Sequence, residues 1–256
     1  MRDANSPPLP HSSHSAHSAH SAMKKFAPDP NFDQYMEQWA ELYEGNNYDG
    51  GLTGYFLKKS HEWSERAFGP EQHFARVLEI GAGTGMHIRY IRHSFDEYLL
   101  TDLNPPLSDR IKVPESGNSV GQRGKVSVSI EDATRLSFAD NQFDRVIAAH
   151  VLEHLYKPHE VLREWVRVLK PGGTLSLVLP CDPGLAWRLG RYAIARPKFL
   201  RAGFRYDYWM AREHVNPINN LASLLRHYFA DIHEQWLPTR VPSIDLNLFF
   251  IVHARV

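Results

Sequence analysis

Three glycines at alternate positions, Gly81, Gly83 and Gly85, follow the apolar residues Val77, Leu78 and Ile80 in "VLEIGAGTGMH". Such a turn lets backbone N–H groups approach a ligand closely. Further on come Asp102 in "LLTDLN", Asp132 in "EDATRL" and His150 in "AAHVLEHL". A carboxylate roughly 20 residues beyond the glycines is suited to accept two hydrogen bonds from ribose hydroxyls. Asp132 can accept from the exocyclic amine of an adenine, and an imidazole titrating near neutrality at His150 can take a proton from a hydroxyl. The set is shaped for an adenosine, with a candidate base beside it.

Two cofactor classes use an adenosine. A dinucleotide goes with G-x-G-x-x-G, whose last glycine admits a pyrophosphate. Here Met86 holds that sixth place, and Glu79 adds negative charge just ahead of the glycines. Glu79 suits a ligand with a positive amino group, or water. His150, Glu153 and His154 make an H-x-x-E-H cluster with donors for a divalent ion. The site is nevertheless read as metal-free, with Glu153 and His154 starting the turn into the next helix.

These residues need a scaffold that brings strand ends together. The segment "RVLEIG" reads as a strand and "GMHIRYIRHSF" as the helix leaving it; "EYLLTD" and "KVSVSI" read as further strands. "FDRVIAAH" reads as the fourth strand. The helix "HEVLREWVRVLK" carries Val161, Leu162, Trp165, Val168 and Leu169 on one face, and "PGG" should turn it into the strand "TLSLVLP". Alternation of this kind implies right-handed crossovers and a parallel sheet covered on both faces. A helix around "NPINNLASLLRHYF" then precedes "DIHEQWLP" and "LNLFFIVHARV", which should pair antiparallel because their link is too short for a crossover.

The chain has 256 residues, 43% of them hydrophobic, and no formal net charge. It can bury one sizeable core, and nothing draws it as a whole toward nucleic acid or anionic membrane. Its one cysteine, Cys181, cannot form an internal disulfide and suits a reducing compartment as a small buried side chain. No apolar run reaches the roughly 20 residues that cross a bilayer, and no signal-type segment opens the chain, so a cytoplasmic protein is expected. Residues 1–22 are rich in His, Ser and Ala, with His14, His17 and His20 in a repeated triplet, and are expected to be a disordered, dispensable tail before Met23. Residues 23–70 read as an N-terminal helical cap with a stripe at Phe32, Tyr35, Met36, Trp39 and Leu42. The catalytic domain is expected over 71–256, with an insert at about 182–215.

"VLEIGAGTG", Asp102-Leu103, "EDATRLSFADNQFD", "HVLEHL" and "LKPGG" occur in that order between Val77 and Val178. Together they resemble the class I S-adenosylmethionine-dependent methyltransferases of the type 11 kind. The resemblance implies a three-layer, Rossmann-like α/β fold with a mostly parallel seven-stranded sheet and an antiparallel last strand. By the family pattern, Glu79, Gly81, Ala82, Gly83 and Gly85 surround the methionine part of S-adenosylmethionine, Asp102 the ribose, and Asp132 with Ala133 the adenine, with Leu103 also in the cofactor-binding set. His150 lies where the fourth strand faces the transferred methyl, either as base or as packing beneath the cofactor. The segment "NPPLSDRIKVPESGNSVGQRG" departs from the family's helix after the second strand.

Acceptor choice should lie in the additions to the common core. The cap's Tyr43, Tyr48 and Tyr55 could form a lid. The insert interleaves Arg188, Arg191, Arg196, Lys198, Arg201 and Arg205 with aromatics such as Trp187, Tyr192 and Tyr206. Such a surface suits an anionic acceptor, stacked bases or, through 184–206, peripheral contact with a membrane. The expected reaction is methyl transfer to an oxygen of a small-molecule or glycan acceptor, free or lipid-linked, with no extended nucleic-acid track. An RNA methyltransferase, a non-catalytic S-adenosylmethionine-binding protein and a dinucleotide oxidoreductase stand as rivals. The oligomeric state is left open.

Overall fold

The computed structural model describes residues 51–103 and 124–256. The tail at 1–22, the stripe Phe32–Leu42, Tyr43, Tyr48 and the departing segment after the second strand lie outside the described residues.

Seven strands form one sheet in the order β3-β2-β1-β4-β5-β7-β6. They are β1 (His73–Ile80), β2 (Ser94–Asp102), β3 (Lys125–Ile130), β4 (Phe143–Ala149), β5 (Leu169–Pro180), β6 (Asp231–Leu237) and β7 (Phe249–Arg255). The first five run parallel, and β7 runs antiparallel to both β5 and β6. The mixed sheet closed by a C-terminal hairpin is as the sequence implied. The order reverses beside β1, so the ends of β1, β2 and β4 meet where an open α/β sheet binds its ligand.

Helix α1 (Gly51–Glu65) precedes the sheet, α2 (Pro158–Val168) links β4 to β5, and the insert holds α3 (Leu185–Gly190), a π turn (Arg191–Ala195), α4 (Arg196–Arg201) and α5 (Tyr206–Glu213). Helix α6 (Ile218–Tyr228) leads into β6. One sheet face is covered by α2 and α6, whose Leu162, Trp165, Leu221 and Leu225 meet Val146, Leu177 and Phe250. Burial of Val161, Leu162 and Val168 contributes roughly 1.5–3 kcal/mol each. On the other face Ile88 and Ile91 cover Val77, Phe95, Tyr98 and Ile147, while α1 packs on β5 and β7. Cys181 is fully buried, and burial pushes its thiol up to about 12. No helix among the described residues is long and apolar enough to cross a membrane.

Two elements differ from the sequence reading. The helix expected over "GMHIRYIRHSF" is a single 3-10 turn, His87–Tyr90, because β2 starts early, at Ser94, to pair with His73. Ile88 and Ile91, three apart, share a face on a 3-10 turn as they would on an α-helix. The "PGG" is a bulge inside β5 rather than a turn before it: Phe143 pairs with Leu169 and Arg145 with Thr174, so Lys170–Gly173 stand opposite Asp144. Gly172 has φ +78°, and Lys170 Nζ donates to Asp144 Oδ1 at 2.8 Å.

Candidate functional site

The glycine turn is tied to the neighbouring strand end. Ala82 N–H donates to Thr101 O and Gly83 N–H to Asp102 Oδ2, both at 2.9 Å. Gly81, Gly83 and Gly85 all have positive φ. A Cβ on Gly81 would stand 2.5 Å from Val151 Cγ2, whereas one on Gly83 would enter open space. The turn therefore leaves a backbone cradle against which a ligand can lie. Glu79 lies beneath it, almost fully buried, and accepts from Tyr98 O–H on β2. Burial holds its carboxyl above the usual range, against that hydrogen bond and His87.

Asp132 is exposed at the end of β3, and its Oδ1 accepts from both N–H and hydroxyl of Thr134 at 2.8 and 2.7 Å. Helix α2 fixes this loop. Trp165 Nε1–H donates to Ala133 O at 2.8 Å, Leu136 N–H to Glu164 Oε1 at 2.8 Å, and Arg167 to the carbonyls of Leu136 and Phe138. Leu103, beyond Asp102, is exposed. The cradle, Asp102 and the loop carrying Asp132 and Ala133 together fit an adenosine joined to a small amino-acid chain. Met86, where a pyrophosphate site keeps glycine, starts the 3-10 turn instead.

At the end of β4, His150 takes φ +60°, a conformation costly for any residue but glycine. Its Nε2 lies 3.2 Å from Ser60 Oγ of α1, and its ring meets His61 and Phe249 edge-on. Burial, with His214 and His87 adding to it, lowers its pKa to about 3. The near-neutral imidazole expected from the sequence is thus a neutral ring of low basicity. Glu153 is the opposite case. Its side chain is 3% exposed, with Oε1 3.9 Å from His150 Nδ1 and 3.8 Å from His154 Nε2. Oε2 has no hydrogen-bond partner among the described residues. Burial, aided by the charge of Asp182, pushes the Glu153 carboxyl up to about 8. His154 Nδ1–H donates to Glu213 O at 3.0 Å, so its Nε2 lone pair faces the carboxyl. Among the described residues no group of three or more His, Cys, Asp or Glu is arranged to hold a metal ion.

Beyond these residues a cleft of about 230 Å³ is lined by Asp182, Arg191, Met210, His214 and Asn216. Asp182 Oδ2 stands 3.3 Å from His214 Nδ1 and 3.7 Å from Arg191 Nη1. The His214 ring is 4.8 Å, centre to centre, from that of His154, which leads back to Glu153. Arg191 Nε and Trp187 Nε1 are buried without hydrogen-bond partners among the described residues. Arg191 lines this cleft, and the Trp187 ring stacks beside that of His214 at 6.5 Å.

Sequence reasoning passed over Ser60, His61, Tyr98, Asp182 and His214. Ser60, His61, Ser64 and Glu65 continue the helical face begun by Gly54 and Leu57; that polar run on a buried face was the available signal. Glu65 receives Arg145 Nη1 and Nη2 at 2.9 and 2.7 Å and His87 Nε2–H at 2.9 Å, all fully or almost fully buried. Burial opposes the Glu65 charge, yet Arg145 and His87 hold its carboxyl well below the usual range.

Residues 78–177 match a family model described as a methyltransferase domain. The chain carries a class I S-adenosylmethionine-dependent methyltransferase domain. Curated relatives include a demethylmenaquinone methyltransferase of Bacteroides fragilis, 29% identical over 57% of this chain and 58% of that protein. A ubiquinone/menaquinone biosynthesis C-methyltransferase of Pseudomonas paraeruginosa is 38% identical over 40% of this chain and 41% of its own length. The chain thus spans about half the length of the curated relatives it matches. In fold, the methyltransferase domain is similar to the N-methyltransferase NodS of Bradyrhizobium japonicum in complex with S-adenosyl-L-homocysteine, at TM-score 0.56 and 17% identity, covering 87% of this chain and 96% of that one.

Proposed function

We propose that the protein transfers the methyl group of S-adenosylmethionine to a hydroxyl oxygen of a small or glycan-type, lipid-linked acceptor seated in the Asp182–Arg191–His214 cleft. The observation that carries this reading is Glu153, a buried carboxyl with an unpartnered oxygen between the strand end and the cleft. When bound, the cofactor supplies a methyl on a positively charged sulfur, already a good leaving group. The glycine cradle, Asp102 and the Asp132 loop orient it. Arg191 offers a donor to the acceptor, while Phe249 and Trp187, 5.9 Å apart in an edge-on pair, help keep water out. As the carbon–oxygen bond forms and the carbon–sulfur bond breaks, the hydroxyl proton passes to the Glu153 carboxylate. His150, neutral and braced by Ser60, positions that carboxylate rather than taking the proton itself.

A carbon acceptor is the second reading, favoured by the likeness to the C-methyltransferase. A phenol methylated on a ring carbon lends its hydroxyl proton to Glu153 during the attack and takes a proton back as the ring C–H proton is lost and aromaticity returns, so Glu153 serves both. The test is release of S-adenosylhomocysteine from S-adenosylmethionine with phenolic and lipid-linked glycan acceptors, followed by magnetic resonance of the product. An oxygen-bound methyl is expected. A carbon-bound methyl selects the second reading, and no release with any acceptor overturns both.

A further inference from the structure

We propose that the helical insert docks the protein onto an anionic lipid surface, with its outer face lying in the headgroup region of one leaflet. Leu185, Leu189 and Tyr192 follow one another at i, i+4 and i+7 along α3 into the π turn, so they share a face, and they are 55%, 61% and 52% exposed. Leu200 on α4 adds a fourth exposed apolar side chain. Large aliphatic groups repeating along an outward helix face mark a contact surface rather than scattered surface residues.

Charge complementarity selects the occupant. Between Asp182 and Asp207 the chain has no acidic residue, while it carries Arg188, Arg191, Arg196, Lys198, Arg201 and Arg205, although its formal net charge is zero. Arg196 is paired with Asp207 at 2.7 Å, and Arg191 faces the cleft beside Asp182. Arg188, Arg201 and Arg205 are exposed and make no ion pair with a described residue. Aliphatic side chains flanked by unpaired arginines are the composition of a helix that lies in the plane of an anionic membrane. The aromatic groups argue against the nucleic-acid alternative. Phe199, Phe204, Tyr206 and Trp209 are buried, the first three against one another, and are not displayed for base stacking.

The docked face lies in the plane of one leaflet, and no described helix is long and apolar enough to span a bilayer. The link between β6 and β7 anchors the start of the face, with Leu185 N–H donating to Asp245 Oδ1 at 3.0 Å, and adds the exposed Leu246. The same insert turns Arg191 inward to the cleft. A docked molecule therefore has its membrane face and its cleft on one helical unit, which suits an acceptor carried on a lipid. Only this last purpose rests on the proposed function; the docking itself does not.

The test is flotation of the full chain with vesicles of phosphatidylcholine alone and of phosphatidylcholine mixed with phosphatidylglycerol. Binding to the mixed vesicles is expected, falling as salt screens the arginines, with none to the neutral ones. A variant carrying R188Q, R201Q and R205Q should bind more weakly by roughly fivefold per charge, on the order of a hundredfold in all. A variant carrying Leu185→Ser, Leu189→Ser and Tyr192→Ser should also lose vesicle binding. Both should keep the wild-type circular dichroism spectrum and S-adenosylhomocysteine affinity, because the substituted side chains lie on the surface and outside the cofactor cradle. That affinity separates failure of the docking from failure of the methyltransferase reading. Wild-type protein that ignores the mixed vesicles, folded variants that float like wild type, or single-stranded RNA that displaces the protein from vesicles would each overturn the proposal.

Discussion

Two carboxylates in this protein have opposite surroundings and should behave oppositely when changed. Asp102 braces Gly83 N–H at the mouth of the cradle. Its replacement by alanine removes charge-assisted hydrogen bonds worth about 1.5–3 kcal/mol each. Asp102→Ala should therefore weaken S-adenosylhomocysteine binding by at least tenfold in calorimetry, and unchanged affinity in a folded variant would remove Asp102 from the site. Glu153 should leave cofactor affinity alone and act on turnover. With its carboxyl pushed up to about 8, the fraction able to take a proton grows with pH, so kcat/KM should climb toward a plateau above that value. Glu153→Gln should cost roughly 10²–10⁴ in kcat and remove the pH dependence. His150→Ala with a retained inflection near pH 8 fits a positioning role; loss of that inflection would return the base to His150. The position of Asp102, Asp132 and His150 at or just beyond strand ends was legible from the apolar runs that precede them. That burial lowers His150 and raises Glu153 was not, because it depends on how the chain packs around both side chains.

At the level of elements, α1 is held to the sheet by an ion pair rather than by apolar contact alone. Arg145 rises from β4 between Glu65 and Ser176, with its guanidinium 3.7 Å from the Phe68 ring centre. Removing one partner of such a pair strands the other charge in a dry interior, at about 3–5 kcal/mol. Glu65→Ala should lower unfolding stability by that amount in urea titration and loosen Ser60 from His150, and a loss below about 1 kcal/mol would mean that α1 is held some other way. The parallel core and the C-terminal hairpin could be read from apolar runs and link lengths. The 3-10 turn could not, since Ile88 and Ile91 satisfy either helical period. Nor could the bulge at Lys170–Gly173, where glycines that commonly end a helix are absorbed into the ladder instead. The polar half of the α1 face was hidden for a related reason. Arg145 lies distant in sequence, and only pairing of the strands brings it under Glu65.

Over the whole molecule, buried titratable groups set a stability window. His93 is lowered to about 4, and His150, His154 and His253 to about 3, in each case chiefly by burial. A histidine depressed in the folded state gives stability that is complete above its unfolded pKa of 6.5 and is lost as pH falls toward the folded value. Acidification from about pH 6.5 toward 4 should therefore unfold the protein steeply. Glu153 acts in the other sense: raised in the folded state, it lowers stability as pH climbs from 4.5 toward 8. Maximum stability is expected near pH 6.5, and Glu153→Gln should flatten the alkaline side in thermal melts followed across pH. An unfolding midpoint that does not move between pH 7 and 5 would contradict the buried, neutral histidines. The sequence disclosed the domain and the basic character of the insert, but not that Phe199, Phe204, Tyr206 and Trp209 turn inward while Leu185, Leu189 and Tyr192 face out.

The most direct measurement is calorimetric titration of the full chain with S-adenosylhomocysteine, with NAD in parallel. Saturable micromolar binding of the first and none of the second is the outcome the cradle, Asp102 and the Asp132 loop require. Folded protein that ignores S-adenosylhomocysteine, or that takes NAD instead, would contradict the account.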